Sequence, residues 1–194
     1  SAASDVYKRQ FIYREAVCEG FAFSFAHIMN RIGIPCGIVA GESFLNGMNG
    51  SHVWNIIKID NYFYHLDVTW DICTKDKGKP FFDYFLLDDQ LVSRDHRWSD
   101  FSIPVCLDSS KEFYAYNHLV CYNEQEIVEL LKRQLLARKY HIGFRYLGAD
   151  VDNTLNRESL TRIAQKTISQ IPSVFGRLSF SCNADTETVS YSFG

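Results

Sequence analysis

Cys18, His52 and Asp67, all in the first seventy residues, have the types that acyl chemistry at a thiol requires. A thiol attacks a carbonyl as its thiolate, a form that free cysteine mostly lacks near neutral pH. It therefore needs a base beside it and a setting that favours the anion. Cys18 falls at the first turn of an expected helix, where unpaired backbone N–H groups and the positive end of the helix dipole favour negative charge. Gly20 leaves room for backbone or substrate to come close. Taken alone, a cysteine opening a helix is more often a small apolar residue than a nucleophile. What faces it decides the matter.

The elements that must position these groups follow from spacing. Phe21, Phe25, Ile28, Met29 and Ile32 recur at helical intervals, and Gly33 followed by Pro35 stops the run, predicting a helix over 18–32. Ile38-Val39-Ala40 reads as a short strand, and the glycine-rich GESFLNGMNGS after it as a loop, a gate beside His52 or a simple connection. Two β-rich runs, Val53 to Ile59 and Tyr62 to Trp70, flank Asp60-Asn61 as a hairpin. With a two-residue turn, paired positions sum to 121, so Trp54 lies opposite Asp67 and His52 opposite Thr69. His52 and Asp67 are then diagonal neighbours on one face, within reach of each other. A three-residue turn would put them on opposite faces. Val53, Ile57, Tyr64, Leu66 and Trp70 make the other, core-like face. His65 shares the face of Asp67 and is the rival base, and Asp71 is the rival carboxylate.

Residues 71–80 read as a charged loop and 81–106 as an irregular, aromatic-rich wrap in which His96 and Trp98 are structural. Beyond residue 112 the pattern becomes β-α-β-α-β-β. It runs from a strand near Leu119 to Tyr122, through a helix capped at Asn123 with Glu126 three residues on, and a strand over Tyr140 to Leu147. A helix carrying Leu160, Ile163, Ala164, Ile168 and Ile171 follows, then a hairpin around Ala184-Asp185. This suggests a small two-layer appendage with a ferredoxin-like flavour. The expected organisation is a leader over 1–10, a core over 11–111 and the appendage over 112–194. The leader is read as non-native: DVYKRQ is the translation of GATGTGTATAAGAGACAG, which resembles a transposon end used in sequencing libraries.

A net charge of −3 over 194 residues gives no electrostatic footprint for nucleic acid or anionic membrane. No apolar run is long enough to span a bilayer. Partners are therefore expected among small molecules and proteins. The six cysteines form no C-x-x-C pair and no zinc-finger spacing, so no metal is expected. The five thiols besides Cys18 lean towards a reducing interior.

VCEGFAFSFAHIMNRIGIPCGIVAG, SHVWNIIKIDNYFYHLDVTWD and DYFLLDDQLVSRDHRW, in that order, resemble the bacterial form of the transglutaminase-like superfamily over about residues 14–98. The resemblance implies an α+β, papain-like core in which a cysteine-bearing helix packs on an antiparallel sheet. It assigns Cys18 as nucleophile, His52 as base and Asp67 as the carboxylate that orients the histidine, with Glu19, Gly20, Trp54 and Asn55 about the substrate cleft. The implied chemistry converts an amide of a protein or peptide substrate into a thioester, then transfers the acyl group to an amine or to water, without a cofactor. Family members carry helices ahead of the cysteine that supply an oxyanion donor, so native sequence is expected upstream. The other expectation is an inactive module that binds protein or cell wall.

Overall fold

The computed structural model describes residues 18–45, 48–73, 82–148, 156–171, 178–183 and 186–193; the leader read over 1–10 and the turn at 184–185 lie outside them. The chain is α+β and divides into two compact units, residues 1–113 and 114–194.

The first unit is built on a five-stranded antiparallel sheet in the order β4-β3-β2-β1-β5. Its strands are β1 (Cys36–Leu45), β2 (Met48–Ile59), β3 (Tyr62–Leu66), β4 (Phe85–Leu87) and β5 (His96–Arg97). Helix α1 is described over residues 18–31. It ends where the Gly33 signal placed the stop: Gly33 takes φ +86°, and the Ile34 N–H reaches back to the Met29 carbonyl at 2.9 Å. Of the large residues at helical spacing, Phe25 and Met29 are half-buried against the Ile57, Tyr64, Leu66 and Leu86 cluster. Cys18, Ala22 and Ala26 are buried, whereas Phe21, Phe23, Ile28 and Ile32 are exposed. Small residues four apart let the helix backbone approach the sheet closely. Asn55 on β2 uses that proximity, donating to the Ala22 carbonyl at 2.9 Å and to the Gly37 carbonyl at 3.2 Å.

The stretch read as a glycine-rich loop is largely strand. β1 runs to Leu45 and β2 begins at Met48, with Leu45 paired to Met48 and Gly41 to His52. Asn46-Gly47 between them is a two-residue hairpin signal that glycine counting obscured. The next hairpin keeps the 121 register: Ile59 pairs with Tyr62 and Asn55 with Leu66, and Asp60 adopts φ +55° in the turn. The expected strand to Trp70 is cut short, because β3 ends at Leu66 and helix α2 takes over at Val68–Cys73. Asp67 terminates the strand by capping that helix, its Oδ1 accepting the Trp70 N–H at 3.0 Å.

The segment read as irregular contains β4, helix α3 (Asp89–Val92) and β5. It covers both edges of the sheet, since β4 pairs with β3 and β5 with β1. A bulge opposite His65/Leu66 puts Leu86 in the left-handed region at φ +61°. Beside it the Asp67 N–H bonds the Tyr84 carbonyl at 3.0 Å.

Gly41 makes the β1–β5 approach possible. A Cβ there would collide with the Arg97 carbonyl oxygen and stand 2.8 Å from the Trp54 Cη2. Gly41→Ala is expected to lower stability by about 1–3 kcal/mol, because backbone rather than a flexible tip must move. Denaturant titration checks this, and amide exchange should localise the loss to Glu42, Phe44 and Arg97.

The second unit contains α4 (Phe113–Tyr116), β6 (Val120–Cys121), α5 (Glu124–Leu136), β7 (His141–Tyr146), α6 (Arg157–Ile168), β8 (Leu178–Asn183) and β9 (Thr188–Phe193). Its four-stranded sheet runs β6-β7-β9-β8, with β6 parallel to its neighbour β7. The β-α-β strands therefore lie side by side, not split as a ferredoxin-like layer would have them. Ile127, Leu131, Leu160, Ile163 and Ala164 from the helices meet Phe144 and Tyr191 from the sheet in one core. Asn123 Oδ1 accepts the Glu126 N–H at 3.0 Å, as the capping signal required. No described helix is long and apolar enough to cross a membrane.

Candidate active site

Asp67 is the centre of the candidate site. It is 2 % exposed, and its two oxygens accept from three sides. Oδ1 holds the Trp70 N–H; Oδ2 takes His52 Nε2 at 2.5 Å and His96 Nε2 at 3.1 Å. Burial alone would push this carboxyl up, but hydrogen bonds and charge from His52 and His96 hold it at about 2. Asp67 is therefore an acceptor only, and the proton in its bond to His52 sits on Nε2. That leaves Nδ1 of His52 as the nitrogen able to take a proton.

Cys18 joins this group through β2. The N–H of Val53, the residue after His52, points at the Cys18 sulfur, as do those of Glu19 and of Cys18 itself. These donors favour the thiolate. Burial works against them and is the larger influence, and the Asp67 charge adds to it, so the thiol is raised above its ordinary range. The helix setting on which the sequence argument relied is thus outweighed by desolvation.

The four flanking residues separate into two pairs. Glu19 and Gly20 are exposed, and a Cβ added at Gly20 would meet nothing within 4 Å among the described residues. Trp54 and Asn55 are only 1 % and 0 % exposed and belong to the interior rather than to an open cleft. Trp54 stacks on His52 with centroids 6.1 Å apart, and Asn55 joins α1 to the sheet. Trp70, assigned by strand parity to the far face, comes round to His52 at 5.6 Å because residues 68–73 are helical.

Both rivals have other bonds. His65 Nδ1 accepts the Trp54 indole N–H at 3.0 Å, which puts its proton on Nε2, donated to Asp89 Oδ1 at 3.0 Å. Burial lowers its basicity, and it has no nitrogen left to act as a base. Asp71 accepts the Tyr84 N–H at 2.9 Å. Burial, with Asp83 and Asp67 nearby, pushes it well above the usual carboxylate range, so it does not orient an imidazole.

The residue that sequence reasoning undervalued is His96. It is fully buried, with Nδ1 on Asp95 Oδ1 at 2.6 Å and Nε2 on Asp67; Asp95 in turn accepts the Tyr84 hydroxyl at 2.6 Å. Only the pairing of β5 with β1 brings it there, so no local spacing announced it.

Among the described residues, two groups of ligand-type side chains occur, His52–Asp67–His96 and His65–Asp89–Cys106. In the second, the proton on His65 Nε2 occupies the position a metal would need. Cys106 there is held protonated, pushed up to about 12 by burial and by Asp89. In the first, the 2.5 Å His52–Asp67 separation is that of a hydrogen bond. Two ligands of one tetrahedral ion, with bonds of about 2.0–2.1 Å, stand roughly 3.3 Å apart. In both groups the side chains are joined to one another by hydrogen bonds.

The architecture and site together define an α+β protein carrying a buried cysteine, histidine and aspartate group in its first unit. No family model and no curated protein matches the chain.

Proposed function

We propose that the first unit is a papain-like, transglutaminase-like core and that Cys18, His52 and Asp67 carry out acyl transfer from an amide through a thioester. One observation supports this above the others. The 2.5 Å bond from His52 Nε2 to Asp67 stands on the strand position next to Val53, whose N–H meets the Cys18 sulfur. That arrangement supports reading the three as nucleophile, base and orienting carboxylate, the order that thiol acyl chemistry needs.

In this mechanism His52 Nδ1 takes the Cys18 proton, and Sγ attacks the carbonyl of a glutamine carboxamide or peptide bond. The Cys18 N–H contributes to the oxyanion hole. The C–S bond forms, the C–N bond breaks, and the amine leaves with the proton held by His52. An incoming amine or water then gives its proton to His52 and attacks the thioester carbonyl, releasing the thiol. Asp67 stabilises the imidazolium without taking its proton. Substrate would approach along the open side at Glu19 and Gly20.

A second reading, a module that binds protein or cell wall without turnover, is favoured by the covering of the site. Cys18, His52 and Asp67 are 3 %, 6 % and 2 % exposed, and the thiol is pushed up. The rate of Cys18 alkylation against pH, in wild type and in His52→Ala, separates the two. Acyl transfer requires half-maximal reactivity well below about 8.5 in the wild type, moving above that value in the variant. A wild-type rate that titrates high and ignores His52 would give the binding module the lead.

A further inference from the structure

His96 is held in a way that a packing histidine is not. Both of its nitrogens face carboxylate oxygens, Asp95 at 2.6 Å and Asp67 at 3.1 Å. A neutral imidazole in that place would point one lone pair at an anionic oxygen, so the geometry calls for N–H on both sides. The oxygen it meets is the Oδ2 that His52 also uses. Tyr84 closes the chain by donating to the other oxygen of Asp95.

We propose that His96 is a positioning residue of the Cys18–His52–Asp67 group: a buried imidazolium, braced by Asp95 and Tyr84, that fixes the direction of the Asp67 carboxylate and tempers its negative charge.

The consequence for Cys18 and His52 rests on the acyl-transfer reading, whereas the state of His96 does not. With Asp67 facing His52 alone, its full charge would bind the imidazolium so firmly that His52 would give up its proton reluctantly. Sharing the oxygen with a second cation weakens that hold. It also adds positive potential near the sulfur, opposing Asp67, which itself raises the thiol. Burial disfavours the charged form of His96, but the bonds and charges of Asp67 and Asp95 more than offset this and raise its affinity for the proton.

The groups facing His96 are few. β2 presents His52 and Trp54; the β3–α2 junction presents Asp67 and Trp70; the segment before β4 presents Tyr84; Asp95 is its neighbour, and His65 feels its charge. Asp71 and Asp83 stand one step away, around Tyr84 and Asp67. Among the described residues, the cations in contact with Asp67 are His96 and, when protonated, His52.

The test is the pH profile of Cys18 alkylation in His96→Gln. Removing a positive charge raises the proton affinity of every group near it. The thiolate limb and the His52 limb should therefore both move upward, by about 0.5–1 pH unit. A residue that merely packs would lower the melting temperature and leave both limbs in place, as Trp98→Phe should. Unmoved limbs in a folded His96→Gln protein would overturn the proposal. Nitrogen-15 spectra of histidine-labelled wild type give a check independent of any variant. Both His96 nitrogens should be protonated at pH 7.5, where a free imidazole of pKa about 6.5 is neutral. A singly protonated ring would sink the proposal while leaving the acyl-transfer reading intact. Alkylation indifferent to His52→Ala would sink that reading and leave the state of His96 standing.

Discussion

Cys18→Ala is expected to take amide turnover down to background while leaving the fold in place. Turnover is measured as incorporation of a fluorescent primary amine into a glutamine-containing peptide, or as ammonia release. The drop should be on the order of 10⁴-fold or more, because the nucleophile of a cooperating group contributes as much as the group together. Stability should change little, by about 1 kcal/mol, since one sulfur leaves a small space under α1 that already tolerates Ala22 and Ala26. That separation matters: a variant that lost both activity and cooperative unfolding would say nothing of chemistry. Turnover surviving in a folded Cys18→Ala protein would remove Cys18 as nucleophile.

Asp67→Asn should have two large effects from one atom. The new amide has one acceptor oxygen, so its N–H₂ must face either the Trp70 N–H or both imidazole N–H groups, and keeping the cap of α2 turns it onto the imidazoles. His52 would then change tautomer, and turnover should fall by about 10⁴-fold. Stability should fall by about 3–5 kcal/mol, because the His96 cation is left inside the protein with one carboxylate instead of two. The pH dependence carries a sign that identifies the cause. Asp67 titrates at about 2 when folded, against an ordinary 3.8, so its contribution is present above about pH 4 and is lost as pH falls through 2. That contribution is about 2 kcal/mol. His96 works in the opposite sense: its folded affinity for protons is raised, so its contribution is complete below 6.5 and declines as pH rises through the folded value. Wild-type melting temperatures should therefore be highest between roughly pH 4 and 6.5, the ordinary carboxylate and imidazole values. In Asp67→Asn the acid slope should flatten. A variant as stable as wild type at pH 6, with the same acid limb, would show that Asp67 is not the ionised centre of this network.

The sequence determined the site wherever local geometry alone sets it. A two-residue turn at Asp60-Asn61 leaves one register, and that register brings His52 within reach of Asp67. The Gly33 stop, the Asn123 cap and the helical spacing of the second unit are decided within a few residues, and so were legible. Tertiary packing decided the rest. β3 gives way to α2 at Asp67 because the carboxylate caps a helix whose Trp70 is buried against Tyr84 and His96. Strand parity could not foresee that turn, so it put Trp70 on the wrong side. Apolar spacing in α1 marked Phe25 and Met29, which pack on the core, but not Ala22 and Ala26, which close approach to the sheet buries. The direction of the Cys18 thiol was likewise set by burial and by Asp67, neither of which is written near residue 18. His96 comes from the far edge of the sheet, 29 residues after Asp67, through a two-residue strand seated on Gly41. A charge network of that kind depends on which atoms meet in space, and pairing across the sheet is what brings these together.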